Sequence, residues 1–427
     1  MSRASILFRK ARVIDPANQR DEILDVLVED GRLTRMGASL DAPGAEIFEA
    51  EGFWLIPGLV DTCVRLPEPG GACTGSIASE TRAAASGGVT HLCALPDTDP
   101  VVDSTAVVRL IRERAMKAGF ARILPLSAMT KGLEGSQLAE MATLREAGCI
   151  GISNAGRPVQ NALILKRCLD YAATFDIPVM LRPQDTSLAS NGCAHDGPVA
   201  TRLGLPGIPS VAETVDLARA LLLAAETGVR MHVHQISSAA SLGLLAQAKR
   251  DGLRVTADVC IHHLLLDESS VADFNTHCHV IPPLRSEADR QALVAATADG
   301  TIDAICSQHT PVGSASKLAP FPSSRAGISG VETLLPLVLK LVEQQQLPLH
   351  RALDAITASA ARCLGQLPLG QLENGRLASL CVVDPKARRQ PDEDWLSAGR
   401  NSPWLDVALP GTVRMTLCEG RVTWLSD

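Results

Sequence analysis

Between residues 57 and 364 the chain repeats one pattern, a short apolar run of strand length followed by a longer stretch with helical periodicity. The runs are THLCAL (90–95), RILPLSA (122–128), CIGIS (149–153), PVMLRP (178–183), RMHVHQIS (230–237), RVTADVC (254–260) and IDAICS (302–307), with residues 59–64 as the first. The stretches between them carry helix punctuation, as in SVAETVDLARALLLAAETG, which opens on a capping Ser and closes on Gly. Eight such strands in roughly 250 residues have the length and rhythm of an α/β fold, a (β/α)8 TIM barrel. Reactive side chains in that architecture sit at the C-terminal ends of the strands.

The two ends of the chain follow a different rule. Residues 1–56 hold short alternating runs, SILFRKARVID, EILDVLVEDGRLTRMG and AEIFEAEGFWLIPG, and residues 365–427 hold GQLENGRLASLCVVDP and TVRMTLCEGRVTWL. Asp30-Gly31, Asn374-Gly375 and Glu419-Gly420 are the turn pairs. Strands at opposite ends are satisfied only by pairing with each other, which predicts a composite β-sandwich domain (1–56 plus 365–427) flanking a barrel of residues 57–364. The segment PVGSASKLAPFPSSRAGISG after the last barrel strand reads as a mobile loop over 311–330.

Composition narrows the function. The net charge is −7, and no Lys/Arg block is interleaved with aromatics, which argues against a nucleic-acid partner. No window reaches about 18 apolar residues, and the N-terminal stretch lacks the apolar core and cleavage site of a secretory signal, so the expectation is a soluble cytoplasmic protein without a membrane partner. Twelve cysteines are scattered without a C-x-x-C pair and are expected to be free buried thiols.

Several framework stretches carry a resemblance: IPGLVDTCVRLPEPG, GGVTHLCALPDTDPVVD, LGLPGIPSVAE, VCIHHLLLDE, IDAICSQHTP and GISGVETLLPLVL. In number, order and spacing they resemble the dihydroorotases of the amidohydrolase superfamily. The resemblance implies a barrel whose working members use zinc to open or close a dihydropyrimidine ring, the metal generating hydroxide and polarising the amide carbonyl.

The ligands that chemistry needs are replaced here. Where the family has D-x-H-x-H-x-R the chain reads Asp61-Thr62-Cys63-Val64-Arg65-Leu66-Pro67. The ligand and catalytic positions carried over from the resemblance are Cys63, Arg65, Asn154, Arg182, Gln235 and Gln308, and the substrate positions are Pro67, Asp97 and Ile281. Arg cannot lose its proton to coordinate a metal, amides are poor zinc ligands, and Gln308 cannot titrate as a general base. We therefore expect no zinc, no other cofactor and no catalytic residue. His309 persists, and His232/His234, His262/His263 and His277/His279 offer further imidazoles, none with a matched carboxylate in the sequence. Ordinary packing is the expectation for all of them, with a relocated metal site at His232/His234 left open.

A framework retained without its site implies a pseudoenzyme. The resemblance extends to noncatalytic dihydroorotase-like subunits that assemble with the catalytic chain of bacterial aspartate carbamoyltransferase, in about six copies of each chain, in pyrimidine biosynthesis. Two alternatives stand beside this: a repurposed amidohydrolase acting on a cyclic amide, and a regulatory subunit binding a small molecule through Arg65 and Arg182. Ion pairs of these arginines with Asp61, Glu68, Asp97 and Asp185 are expected to hold the barrel mouth together.

Overall fold

The computed structural model describes residues 5–71 and 74–426. Eight parallel strands pair in chain order: Leu59–Val64, Val89–Ala94, Arg122–Ala128, Gly151–Ser153, Val179–Leu181, Met231–Val233, Val255–Cys260 and Ala304–Cys306. The first and last strands meet just past their ends, where Val64 and His309 form a parallel bridge and the Arg65 amide donates to the His309 carbonyl at 2.8 Å. The ring is thereby nearly closed.

Both faces of these strands are buried, so they read as continuous apolar runs rather than alternating ones. Their side chains still divide between two faces by period-two alternation, which a shift in the pairing of the first strand between Asp61 and Val64 interrupts. Val60, Cys63, Cys93, Ala304 and Cys306 point into the barrel, while Leu59, Leu92 and Ile305 pack outward against the helices. The interior is thus a packed core of small aliphatic side chains and thiols. Among the described residues every cysteine is free and buried.

The chain ends do pair. Leu380–Arg389 runs antiparallel to Trp54–Pro57, and hydrogen bonding continues through Ile6–Asp15, Arg20–Glu29 and Arg32–Gly37 on one side and through Leu409–Cys418 and Arg421–Leu425 on the other. This is one hydrogen-bonded sheet of eight strands, Glu46–Glu49 joining beside Ile6–Asp15. Leu380 and Val382 face the sheet's own core with Phe8 and Val26, whereas Cys381 and Val383 face the barrel. The turn pairs Asp30-Gly31 and Glu419-Gly420 both adopt positive φ, and they pack so closely that a Cβ at Gly420 would lie 2.2 Å from the Gly31 backbone.

The 311–330 segment is packed against the barrel rather than projecting as a free loop. Phe321 is buried and stacks on His279 at 4.7 Å, Ser324 Oγ meets His279 Nδ1 at 2.8 Å, and Asn401 donates to the carbonyls of Thr310 and Gly327. No helix among the described residues is long and apolar enough to cross a membrane.

Candidate functional site

The C-terminal ends of the barrel strands open into a cleft of about 720 Å³, whose lining includes Arg65, Pro67, Asp97, Arg182, Ile281 and Arg325. Five positions inferred from the sequence thus meet around one space. Cys63 and Gln235 lie just beneath it, bordering a small pocket with Arg65, Arg182 and His234. Asn154 stands to the side as a loop clamp, accepting from Thr130 Oγ1 at 2.8 Å and donating to the Arg157 carbonyl at 2.7 Å. Gln308 donates to the Ile281 carbonyl at 2.8 Å.

Of the positions carried over from the resemblance, Cys63, Gln235 and Gln308 make protein contacts, though Gln235 Oε1 and Gln308 Oε1 are buried without a partner. Gln235 donates to Cys63 Sγ at 2.9 Å, and burial pushes the Cys63 thiol well above its ordinary range, so it is no thiolate. Gln235 and Gln308 both occupy left-handed backbone, with φ of 61° and 50°, which turns their side chains in at the strand ends. His309, the retained histidine, bonds through Nε2 to Glu80 at 2.9 Å, and Glu80 also accepts from Ser397 Oγ at 2.6 Å. That pair ties the barrel to the C-terminal segment.

The expected gathering of four carboxylates around the arginines is not what the structure shows. Asp97 alone does so, accepting from Arg65 Nε at 2.8 Å. Glu68 pairs with Arg114 and accepts from the Ile77 amide, Asp185 caps the Thr186–Ala189 helix, and Asp61 is held by Ser307 and the Cys63 amide. These three have local donors nearer than the cleft, and local hydrogen bonds satisfy them. Arg182 is left with one hydrogen bond, to the Gly156 carbonyl at 3.1 Å, and its Nε has no partner.

The absence of a carboxylate matched to His232 and His234 is also overturned. Asp258, on the next strand, accepts from His232 Nε2 at 3.1 Å, His234 Nδ1 at 2.8 Å, Thr62 Oγ1 at 2.5 Å and the Gln235 amide at 2.6 Å. Parallel register makes this contact: His232 lies opposite Thr256, so Asp258 falls two residues further along the same face. Burial alone would raise the Asp258 carboxyl, but His234 and His232 outweigh it and hold it far below the ordinary carboxylate range.

Two clusters have the residue types of a zinc site, His232/His234/Asp258 and Cys260/His262/His263. Hydrogen bonds claim part of each donor set, while His234 Nε2, both nitrogens of His262 and His263 Nδ1 are buried without a partner. In the first, His232 spends both nitrogens on Thr256 and Asp258, and the carboxylate is already saturated with donors. In the second, His263 Nε2 is directed at the Pro282 and Pro283 carbonyls at 3.2 and 3.3 Å. The positions carried over from the resemblance fit worse, because Arg182 places a guanidinium where a cation would sit.

Buried histidines set an acid sensitivity. Burial pushes His91, His263 and His279 down to about 4, and it also lowers His232 and His262. Below about pH 6.5 the unfolded chain therefore binds protons the folded chain refuses, and stability present above that pH is lost as pH falls toward 4. Burial acts oppositely on Asp61 and Glu332, raised to about 6 and about 7, which take up protons in the fold on acidification and so offset part of the loss. The histidines outnumber them. The urea midpoint is expected to fall between pH 7 and pH 5, by roughly 1 kcal/mol of stability per pH unit for each unmatched proton; a flat or rising midpoint would contradict this balance.

Comparison with known proteins agrees with the barrel and the framework. A family model described as Dihydro-orotase-like matches residues 52–241. A dihydroorotase-like protein of Pseudomonas aeruginosa is 45% identical over 98% of this chain and 99% of its own length. A dihydroorotase of Syntrophotalea carbinolica is 40% identical over 99% of this chain and 100% of its own. Among solved structures, an L-hydantoinase (dihydropyrimidinase) from Arthrobacter aurescens superposes with a TM-score of 0.87 over 98% of this chain and 95% of its own, at 21% identity, a likeness of fold. An eight-stranded parallel barrel, and relatives 45% and 40% identical over almost the whole of both chains, lead to one conclusion: the chain belongs to the dihydroorotase-like family of amidohydrolases.

Proposed function

We propose that this chain is a noncatalytic member of its family that assembles with, and stabilises, the catalytic chain of aspartate carbamoyltransferase in pyrimidine biosynthesis. The observation that carries the first half is the state of the barrel mouth. Arg65, Arg182, Gln235 and Gln308 stand at four strand ends, and none is a zinc ligand or a base able to activate water. Asp258, accepting from Thr62, His232, His234 and the Gln235 amide, links the first, sixth and seventh barrel strands by hydrogen bonds.

The assembly half follows from the resemblance, and a surface feature supports it. The neighbouring outer helices Ala162–Thr174 and Val211–Thr227 expose Leu163, Val211, Val215 and Leu222, the last at 73%. Val211, Val215 and Leu222 follow helical spacing on one face, the kind of apolar surface that marks a protein contact. The test is co-expression with the host's aspartate carbamoyltransferase catalytic chain. Wild type is expected to co-elute with it in about equal copies, and a Val215→Glu, Leu222→Glu double variant to lose at least about tenfold in affinity. Failure of wild type to associate at micromolar concentration would overturn the assembly role.

The rival reading is a working amidohydrolase, favoured by relatives named dihydroorotase at 40% identity. It requires a metal, for which Arg65, Arg182, Gln235 and Gln308 are poor ligands. Zinc retained in stoichiometric amount through gentle purification would favour it.

A further inference from the structure

We propose that the cleft at the barrel mouth binds a small organic acid, whose carboxylate lies between the guanidinium groups of Arg65 and Arg182. The proposal is independent of the assembly role. It starts from a buried charge without a counter-charge. Arg182 is only 9% exposed, lines the cleft, and has no carboxylate within ion-pair distance among the described residues. Its one hydrogen bond goes to the Gly156 carbonyl, and its Nε is unpartnered. A guanidinium in that state is unfavourable on its own and is satisfied by an anion.

The two arginines converge on one spot. A Cβ built on Gly156 would lie 3.0 Å from Arg182 Nη2 and 3.3 Å from Arg65 Nη2, so the glycine leaves open the space that both forks approach. Arg65 is already balanced by Asp97. One positive charge is therefore left over at the floor, which matches the single charge of a carboxylate better than the double charge of a phosphate. Burial, and then Arg65, lower the Arg182 pKa to about 10, in keeping with a missing counter-charge.

The rim indicates how the rest of the ligand is received. Arg157 and Arg325 border the cleft against a single further carboxylate, Asp99, so a second acidic group is favoured there. A volume of about 720 Å³ suits a small organic molecule. The expected ligand class is a short dicarboxylic acid, held at the floor by a planar fork and at the rim by charge.

Isothermal titration calorimetry on the full-length chain tests this with three probes: succinate, its neutral diamide succinamide, and inorganic phosphate. Succinate is expected to bind saturably at one site per chain, succinamide not to bind, and phosphate to bind at least about tenfold more weakly than succinate. Arg182→Met and Gly156→Ala, each checked for folding by circular dichroism, are expected to weaken succinate at least about tenfold. Gly156→Ala removes no charge, so it tests the space if Arg182→Met does not fold. Absence of saturable succinate binding up to about 10 mM, or binding unchanged in both variants, would overturn the site. Phosphate binding as tight as succinate would overturn the carboxylate assignment.

Discussion

Replacing Asp258 by Ala is expected to destabilise the fold by about 3–5 kcal/mol, the range for removing one member of a buried charged network. Its carboxylate receives Thr62 from the first barrel strand, His232 and His234 from the sixth, and the Gln235 amide, and it is fully buried. Removing it strands four donors away from water, each left with a desolvation penalty. Asp258→Asn keeps the volume but turns an amide N–H toward other donors, so an intermediate loss is expected. Urea unfolding of both variants reads the effect. An unchanged midpoint in Asp258→Ala would show that the barrel interior is not organised around this carboxylate.

Arg182→Met is expected to act in the opposite direction, raising stability by about 1–3 kcal/mol, because an apolar side chain of similar length replaces a buried, unpaired charge. The geometry decides the sign. Had the former pocket been laced with ion pairs, loss of Arg182 would leave a carboxylate unpaired and lower stability, but Asp97 bonds to Arg65, and the other three candidate carboxylates are satisfied elsewhere. A lowered urea midpoint for the folded variant would mean that Arg182 has a counter-charge in solution after all. A rise in stability on losing Arg182 would point to a role for it other than stability, and the cleft it lines offers one.

The barrel was legible because its strands are buried on both faces and therefore stand out as apolar runs. Residues 59–64 and 122–128 match strands of the structure end to end. Runs such as RMHVHQIS shorten to the three paired residues Met231–Val233, since their last residues leave the sheet to build the mouth. Five of the positions singled out from the framework, Arg65, Pro67, Asp97, Arg182 and Ile281, line the cleft. The role of Asp258 was not legible, because a single polar residue inside the run RVTADVC carries no sign of which side chains it meets. Its role appears only when the parallel register sets Thr256 beside His232, and nothing local in either strand specifies that register. The ion-pair expectation held for Asp97 and failed for the other three carboxylates for a related reason: sequence places charges near one another without saying which cap, amide or other side chain claims them, as with Asp185 and its own helix.

We propose that this amidohydrolase-like barrel does no chemistry at its mouth. The most direct test is turnover of carbamoyl aspartate and dihydroorotate by the purified full-length chain, with and without excess zinc. Conversion indistinguishable from a blank without protein, in both conditions, is the predicted result. Turnover that rises with zinc and disappears on chelation would contradict it.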